Sequence, residues 1–154
     1  MDWRVREFEA LTPRELYAIV RLRQDVFIVE QKCAYADADG LDAGATHLFA
    51  VDGEAVVAYA RLFAPGQKRD EAVIGRVVTA ASVRRSGIGR ELMQRAIDAI
   101  VERHGRVAIW LGAQKYVERF YASFGFVRDG DDYDEDGIPH LPMRRPEDPW
   151  QTRV

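Results

Sequence analysis

The stretch RRSGIGREL, from Arg84 to Leu92, combines positive charge with glycine directly before an apolar helical pattern. The first turn of a helix presents backbone N–H groups without intrahelical partners, and the positive end of the helix dipole adds to their attraction for anions. Gly87 and Gly89 have no side chain to keep a phosphate away from these amides. The arginines of the stretch, which add forked donors, are Arg84, Arg85 and Arg90. The residues therefore predict a phosphate-binding loop, with a tight turn and solvated arginines as the alternative.

Two common phosphate-binding loops fit these residues poorly. A dinucleotide fingerprint would need a third glycine where Leu92 stands, and a P-loop would need a Gly-Lys-Ser/Thr ending that the chain lacks. The ligand must therefore be sought in another class of phosphate compound.

The composition favours one domain, with a local rather than a general reason for the basic cluster. At 154 residues and 47% hydrophobic content, we expect a single domain over residues 1–154, with a peripheral tail from about residue 146. The net charge of -3 gives no general attraction to nucleic acid or to anionic membranes, and neither is expected as a partner.

The same composition predicts a cytoplasmic protein. Cys33 is the one cysteine and cannot form an internal disulfide, and the N-terminal residues MDWRVREFEA lack the basic start and apolar run of a signal peptide. No apolar stretch approaches the roughly 18 residues of a membrane span.

The elements that position these residues can be read from periodicity and turn signals. Thr12, Pro13 and Glu15 form a helix start with a capping box, Asp52-Gly53 predicts a hairpin, and Gly75 marks a bulge or a close backbone approach. The predicted elements are a strand from Val5 to Ala10, a helix from Pro13 to about Arg23, hairpin strands within Thr46 to Phe63, a strand from Glu71 to Thr79, a helix from Ile88 to Gly105, a strand from Arg106 to Gly112, a helix over 114–125, and two closing strands, FVRDG and IPHLPMRR, joined by an acidic hairpin. This order predicts an α/β fold: a single mixed, mostly antiparallel central sheet of about six to seven strands with helices on both faces.

The phosphate loop resembles that of a known enzyme family. With the strand IGRVVT before it, RRSGIGREL matches the Arg/Gln-x-x-Gly-x-Gly/Ala loop of the GCN5-related N-acetyltransferases (GNAT), and FYASFGF (120–126) resembles their second signature. The order of elements agrees over nearly the whole chain. The segments VFIVEQ, VAYARL, GRVV, LGAQ and EDGIPH are similar to the ElaA-like subgroup, whose substrates are poorly assigned. The resemblance implies the acyl-CoA N-acyltransferase fold, with acetyl-CoA as the acyl donor.

The resemblance also implies which residues hold that donor. The backbone of Val77, Val78 and Thr79 would pair with the pantetheine amides like an added strand, where this strand separates from its neighbour at 106–112. The residues that would surround the pyrophosphate are Arg84, Arg85, Ser86, Gly87, Ile88 and Gly89. Arg85 or Arg90 would reach the 3′-phosphate. Many relatives have an asparagine after the strand WLGA, and Gln114 is the nearest amide in this chain.

Two proton-transfer roles follow for the reaction. Tyr121 stands where the family has its general acid, and a phenol with a pKa of about 10 can protonate a leaving thiolate whose thiol pKa is about 8.5. An amine with a pKa of about 10.4 is neutral in only about one molecule in 2,500 at pH 7, so a base or a water chain is expected. The candidate bases are Glu30, His47 and His140. The alternatives are a core tyrosine, core or edge histidines, and a glutamate that caps or forms an ion pair.

Two acidic segments, 37–42 and 129–136, could bind either a metal ion or a cationic acceptor. DYDEDGIPHLPM imitates a calcium loop at Asp132, Asp134, Asp136 and Gly137, but Met143 stands where the bidentate glutamate belongs, so no metal is predicted. The hairpin Asp129 to Asp136 and the segment DADGLD (37–42) would attract a cationic amine, although a solvated turn explains the hairpin equally well.

The leading hypothesis is an N-acetyltransferase that moves an acetyl group from acetyl-CoA to the primary amine of a small molecule or peptide by direct attack in a ternary complex. RLRQDVFIVEQ, DADGLD and YARL also resemble acyl-homoserine-lactone synthases, but Tyr35 stands where those enzymes have a tryptophan and they lack so complete a pyrophosphate loop. A non-catalytic coenzyme A binding module is the third hypothesis. A homodimer is left open.

Overall fold

The computed structural model describes residues 1–150, and within them it has eight strands and three α-helices. The strands are β1 (Asp2–Glu7), β2 (Thr46–Asp52), β3 (Ala55–Phe63), β4 (Ala72–Thr79), β5 (Ile109–Gln114), β6 (Val127–Arg128), β7 (Tyr133–Glu135) and β8 (Ile138–Arg145). The helices are α1 (Pro13–Arg23), α2 (Ile88–His104) and α3 (Glu118–Ala122). A π-helical segment, Gln24–Glu30, continues α1.

The strands form one mixed sheet in the order β1-β2-β3-β4-β5-β8-β6, with β7 paired to β8. Only β4 and β5 pair in parallel, and the other pairs are antiparallel. On one face, Ile19 of α1 packs with Phe49 and Tyr59, whereas on the other face Leu92 of α2 packs with Leu48. The predicted fold class is confirmed, including helices on both faces.

The local sequence signals at the start of α1 and between β2 and β3 act as predicted. Thr12 Oγ1 accepts a hydrogen bond from the Glu15 amide at 3.1 Å, and Glu15 Oε1 accepts one from the Thr12 amide at 2.8 Å, which completes the capping box. The β2–β3 hairpin turns at Asp52-Gly53, where Gly53 has a φ of 64°. Both signals lie within a few residues of the groups they organise.

Four predicted elements differ from the structure. The strand expected from Val5 to Ala10 runs instead over Asp2–Glu7 and ends in a 3-10 turn at Phe8–Ala10. The helix expected over 114–125 is shorter, because residues Lys115–Val117 form a 3-10 turn before α3. The strand expected from Arg106 to Gly112 begins at Ile109 and extends to Gln114. The acidic hairpin, expected as a loop, contains β7, so the sheet has eight strands rather than six or seven. Polar residues form β7 through backbone pairing with β8, which no apolar alternation in the sequence indicates.

A bulge in β4 opens the sheet. Tyr59 lies opposite Val78 and Arg61 opposite Gly75, so one residue of β3 faces both Arg76 and Val77. The bulge is adjacent to Gly75, as the sequence predicts, and Arg76 adopts a φ of 50°. The two parallel strands separate just before this bulge, because β4 pairs with β5 only at Ala72 and Val73.

The described part of the predicted tail contacts the domain: Arg106 Nη1 lies 3.0 Å from Asp148 Oδ1. The rest of that tail, residues 151–154, lies outside the described residues. Across residues 1–150, no helix is both long enough and apolar enough to cross a membrane.

Candidate active site

The divergence of β4 from β5 opens a cleft of about 560 Å³. Its walls come from the outer half of β4, from β5, from the π-helical segment, from α3 and from the β7–β8 hairpin. The predicted site residues that line it are Glu30, Val77, Val78, Thr79, Arg84, Gln114, Tyr121 and His140. One cleft therefore collects residues that are spread over more than half of the chain.

The glycine-containing loop leads from β4 into α2 beside this cleft. Gly87 is the N-cap of α2 with a φ of 86°, and Arg85 also has a positive φ of 66°. Because a glycine N-cap has no side chain to accept hydrogen bonds, the first-turn amides of α2 stay available to an anion. A Cβ added at Gly89 would lie 4.0 Å from Phe120 Cζ, an ordinary contact, so packing within the protein does not require glycine there.

The arginines of the loop differ in their surroundings. Arg90 Nη1 donates to Ser123 Oγ at 3.2 Å, and its guanidinium lies 4.8 Å from the centroid of the Phe124 ring, so it is held against the end of α3. Arg85 has an exposed side chain. Ser86 Oγ donates to the carbonyl of Val83 within the loop. Of the segment from Arg84 to Arg90, only Arg84 reaches the wall of the cleft.

Arg84 connects three parts of the site. Its Nη1 donates to Glu30 Oε2 at 2.8 Å, while its Nε and Nη2 lie 3.3 and 3.1 Å from the Thr79 carbonyl oxygen that they share. The guanidinium thereby joins the phosphate loop, the end of β4 and the π-helical segment. Glu30 is thus an ion-pair partner, one of the alternatives that its sequence position allowed.

Tyr121 lies at the inner wall of the cleft. Its side chain packs edge-on against Phe120, with ring centroids 5.2 Å apart, and the residue is 9% exposed. Within residues 1–150, the Tyr121 hydroxyl neither donates nor accepts a hydrogen bond. Burial raises the pKa of Tyr121 to about 12. The phenol therefore stays protonated at physiological pH and can donate to a group in the cleft. Its ring is at the same time part of the core, so both interpretations of this tyrosine apply.

His140 lies across the cleft in β8 and pairs with a carboxylate. Its Nδ1 lies 2.8 Å from the Ile138 carbonyl oxygen, and its Nε2 lies 3.1 Å from Glu135 Oε2. Both ring nitrogens of His140 thus have a hydrogen-bond acceptor within reach. Glu135, which the sequence reading missed because it lies in the acidic hairpin, is 58% exposed at its side chain and also lines the cleft.

His47 lies outside the cleft, and the prediction of this residue as a candidate base is corrected. The side chain is fully buried, with Nε2 at 2.9 Å from the Asp42 carbonyl oxygen and Nδ1 at 2.7 Å from the Tyr59 hydroxyl. Burial lowers the pKa of His47, which favours the neutral ring that donates from Nε2 and accepts at Nδ1. His47 is therefore a core histidine with both nitrogens occupied.

Three arginines and three aspartates close a ring of ion pairs beside the cleft, which we call the ion-pair ring. In order, its members are Arg23, Asp42, Arg61, Asp39, Arg76 and Asp37, and the successive N–O distances are 2.8, 2.9, 2.8, 3.3, 2.9 and, back to Arg23, 2.9 Å. Each guanidinium contacts two carboxylates and each carboxylate contacts two guanidiniums. The ring has no net charge and anchors the loop that follows the π-helical segment.

The ion-pair ring corrects one expectation from the sequence. The carboxylates of DADGLD were expected to attract a cationic amine, but Asp37, Asp39 and Asp42 are neutralised by the arginines. Burial alone would raise the pKa of Asp42, yet the hydrogen bonds from Arg23 and Arg61 outweigh it and hold that pKa below its usual range.

The acidic hairpin is partly neutralised in the same way. Asp132 forms ion pairs with Lys115 and Arg128, and Asp134 Oδ2 accepts a hydrogen bond from the Gly137 amide at 3.1 Å. Glu135 and Asp136 are the hairpin residues that reach the cleft, together with Ile138 and His140 at the start of β8. Within residues 1–150, no three His, Cys, Asp or Glu side chains are grouped so that they could hold a metal ion.

Comparison with known proteins gives a consistent result. Residues 18–146 match the model of an acetyltransferase (GNAT) domain. The chain is 35% identical to protein ElaA of Escherichia coli over 147 residues, covering 94% of this chain and 96% of that protein. The crystal structure of that protein has a TM-score of 0.89 to this fold and covers 94% of this chain and 99% of its own.

Two further structures extend the comparison. An acyl-CoA N-acyltransferase from Pseudomonas aeruginosa is 41% identical, with a TM-score of 0.90, and the match covers 94% of this chain and 99% of that chain. An aminoglycoside 6′-N-acetyltransferase complexed with coenzyme A, at 16% identity and a TM-score of 0.69, covers 94% of this chain and 97% of its own and shares the fold.

Proposed function

The chain belongs to the GNAT family and is an acyltransferase, and from this premise we propose that it transfers an acetyl group from acetyl-CoA to a primary amine. The amine attacks the thioester directly in a ternary complex, without a covalent enzyme intermediate. The observation that carries this proposal is the cleft between β4 and β5, which has the buried Tyr121 hydroxyl on its wall and the N-terminus of α2 beside it.

Two features of the chain support binding of the donor. Beyond Val73, β4 has no strand partner in β5, so its backbone at Val77, Val78 and Thr79 would pair with the pantetheine amides as an added strand would, with the Thr79 carbonyl oxygen already held by Arg84. The diphosphate binds the amides between Arg84 and Gly89, at the positive end of the 17-residue helix α2. Gln114, opposite His140 in the β5–β8 register, faces the donor from the other wall.

The reaction needs one group that donates a proton to the leaving sulfur and another that accepts a proton from the amine. As the amine nitrogen bonds to the carbonyl carbon and the carbon–sulfur bond breaks, Tyr121 gives its proton to the leaving sulfur. The proton lost by the amine goes to a carboxylate on the acceptor side, for which Glu30 and Glu135, the latter paired with His140, are the candidates. Burial keeps the phenol protonated but also makes it a weaker acid, so Tyr121 gives up its proton only as negative charge develops on the leaving sulfur beside it.

The setting of the reaction belongs to the same proposal. The acceptor is a small molecule or a peptide, the protein works in the cytoplasm where acetyl-CoA is made and used, and no metal takes part. A homodimer stays a prediction, which sedimentation of the purified protein would test.

The experiment that tests the function follows free coenzyme A with a thiol reagent. Acetyl-CoA is offered with polyamines, aminoglycosides, amino acids or lysine peptides, and coenzyme A binding is measured separately by calorimetry. We expect thiol release that depends on an acceptor, with acetylated product found by mass spectrometry. Binding of coenzyme A without release by any acceptor would favour a non-catalytic binding module instead.

A further inference from the structure

The bulge in β4 contains Arg76, which lies in the wall of the cleft. Arg76 has a φ of 50°, a conformation that costs a non-glycine residue free energy and that recurs at functional sites. Its guanidinium lies 5.3 Å from the centroid of the Tyr35 ring, and its side chain is 22% exposed. Both Arg76 and Tyr35 line the cleft. The strained backbone therefore serves to place a cation at this wall.

The contacts of Arg76 leave one of its nitrogens available. Nη2 lies 3.2 Å from the Asp37 carbonyl oxygen and 3.3 Å from Asp39 Oδ2, whereas Nε is buried, lies 2.9 Å from Asp37 Oδ1 and makes no hydrogen bond within the described residues. Within residues 1–150, no hydrogen-bond acceptor is found for Nη1, which is also not buried. The ion-pair ring thus fixes the guanidinium from one side and leaves the two hydrogens of Nη1 for another partner.

The local charge favours an anion at this nitrogen. The ion-pair ring is neutral, but Lys68 lies nearby. Burial lowers the pKa of Lys68, and the positive charges of Arg61 and Arg76 lower it further. Lys68 has no ion-pair partner in the part of the chain that the structure describes. Lys68 therefore adds positive charge near the ion-pair ring.

The facing wall of the cleft has the opposite charge. Glu135 and Asp136 line it, and Asp136 is tied to the Arg76 side because Cys33 Sγ lies 3.6 Å from the Asp136 carbonyl oxygen. Cys33 and Tyr35 are two residues apart, which limits their separation to about 7 Å. A guanidinium and two acidic residues thus line the same cleft of about 560 Å³.

On the basis of the proposed function, we propose that the acceptor is an amino acid, bound as a zwitterion with its carboxylate on Arg76 Nη1 and its amine toward Glu135 and Asp136. A carboxylate forms a charge-assisted hydrogen bond with the arginine, stronger than one between neutral groups. An amine without a neighbouring carboxylate cannot use this contact. Arg76 is then a specificity-determining residue, and the ion-pair ring is what keeps it in place.

The test compares phenylalanine with phenethylamine, which has the same side chain and amine but no carboxylate. The ratio of kcat/KM for the two acceptors is measured in the wild type and in Arg76→Gln. We expect this ratio to fall by about 10-fold or more in the variant, because a hydrogen bond between charged groups is lost. The basicity of each amine belongs to the acceptor and cancels when the ratios of two proteins are compared.

Arg21→Gln is the matched control, since Arg21 is an exposed arginine that pairs with Asp25 and lies outside both the ion-pair ring and the cleft. This variant should keep the wild-type ratio. Equal loss of the ratio in both variants, or no change in Arg76→Gln, would overturn the proposal. Arg76→Lys, which keeps the positive charge, serves in place of Arg76→Gln if the latter does not fold, and its ratio should fall for want of the forked donor.

A binding measurement separates this inference from the proposed function. Phenylalanine is titrated by calorimetry into wild type and Arg76→Gln saturated with coenzyme A, and we expect binding that is weaker in the variant. Equal binding, or none to either protein, would overturn the amino-acid proposal even if other amines are acetylated. Weaker binding in the variant without turnover of any amine would leave the inference standing and reject the transferase.

Discussion

Arg84 Nη1 donates a hydrogen bond of 2.8 Å to Glu30 Oε2, and this ion pair joins the loop before α2 to the π-helical segment across the cleft. The Glu30 carboxylate would therefore compete with a bound phosphate for the Arg84 guanidinium. Binding of the donor and availability of Glu30 as a base are then linked through one side chain.

We predict that Glu30→Gln binds coenzyme A about 2- to 5-fold more tightly, because a partly exposed ion pair that competes for Arg84 contributes about 0–1 kcal/mol. Calorimetric titration of wild type and variant measures the change. Arg84→Gln should weaken the binding, and in that background Glu30→Gln should have a smaller effect. Independent, additive effects in the double variant would show that the two residues are not coupled.

Tyr121→Phe should reduce kcat by about 100-fold or more while leaving coenzyme A affinity within about 2-fold, because it removes a proton donor without changing the shape of the ring. Steady-state kinetics and calorimetry measure the two quantities. Tyr116→Phe, at an exposed tyrosine of the same cleft, is the control and should keep wild-type turnover. Normal turnover in Tyr121→Phe would end the assignment of this residue as general acid.

Stability at alkaline pH should depend on the same phenol. Burial raises the pKa of Tyr121 to about 12, above the ordinary value of 10, so the folded state holds this proton more tightly than the unfolded state. The stabilisation is complete below pH 10 and is lost as the pH rises toward 12. We expect the Tm of Tyr121→Phe to fall less steeply than that of the wild type between pH 10 and 11.5 in thermal scans. Parallel curves would contradict this expectation.

The two glycines of the loop should respond differently to alanine. Gly87 has a φ of 86°, so Gly87→Ala should cost about 1–2 kcal/mol of stability through the left-handed backbone. Gly89→Ala should leave the Tm unchanged or higher, because alanine is the better helix former and the added Cβ meets only an ordinary contact. It should nevertheless weaken coenzyme A binding about 10-fold, or ~1.4 kcal/mol, by obstructing the loop amides. Unchanged affinity in Gly89→Ala would contradict diphosphate binding there.

Asp42→Asn should destabilise the protein by about 3–5 kcal/mol, since Arg23 and Arg61, with side chains 1% and 2% exposed, would lose a shared partner. Denaturant unfolding measures this change, and Asp25→Asn, in the exposed ion pair with Arg21, is the control at under about 0.5 kcal/mol. Because the folded-state pKa of Asp42 is lowered, its contribution is present at neutral pH and is lost as the pH falls below about 4. The difference between wild type and Asp42→Asn should therefore shrink in acid.

The sequence determined the elements whose signals are local. The capping box of Thr12 and Glu15, the Asp52-Gly53 hairpin and the α2 stripe from Ile88 were all predictable, because each depends on residues a few positions apart. The fold class followed from the order of these elements, and the glycine loop pointed to the family. The roles proposed for the loop and for Tyr121 also began with residue types and spacing.

Only the tertiary structure decided which charges and titratable groups meet. Arg23 and Arg76 share Asp37 through contacts that no sequence spacing encodes, and the same sheet register buries His47 against Tyr59. The cleft exists because β4 and β5 pair only at Ala72 and Val73 and then diverge. Caps, turns and helical stripes depend on residues close together in the chain, so the sequence alone predicts them. Ion pairs, burial and cavities depend on distances between residues far apart in the chain, so only the tertiary structure determines them.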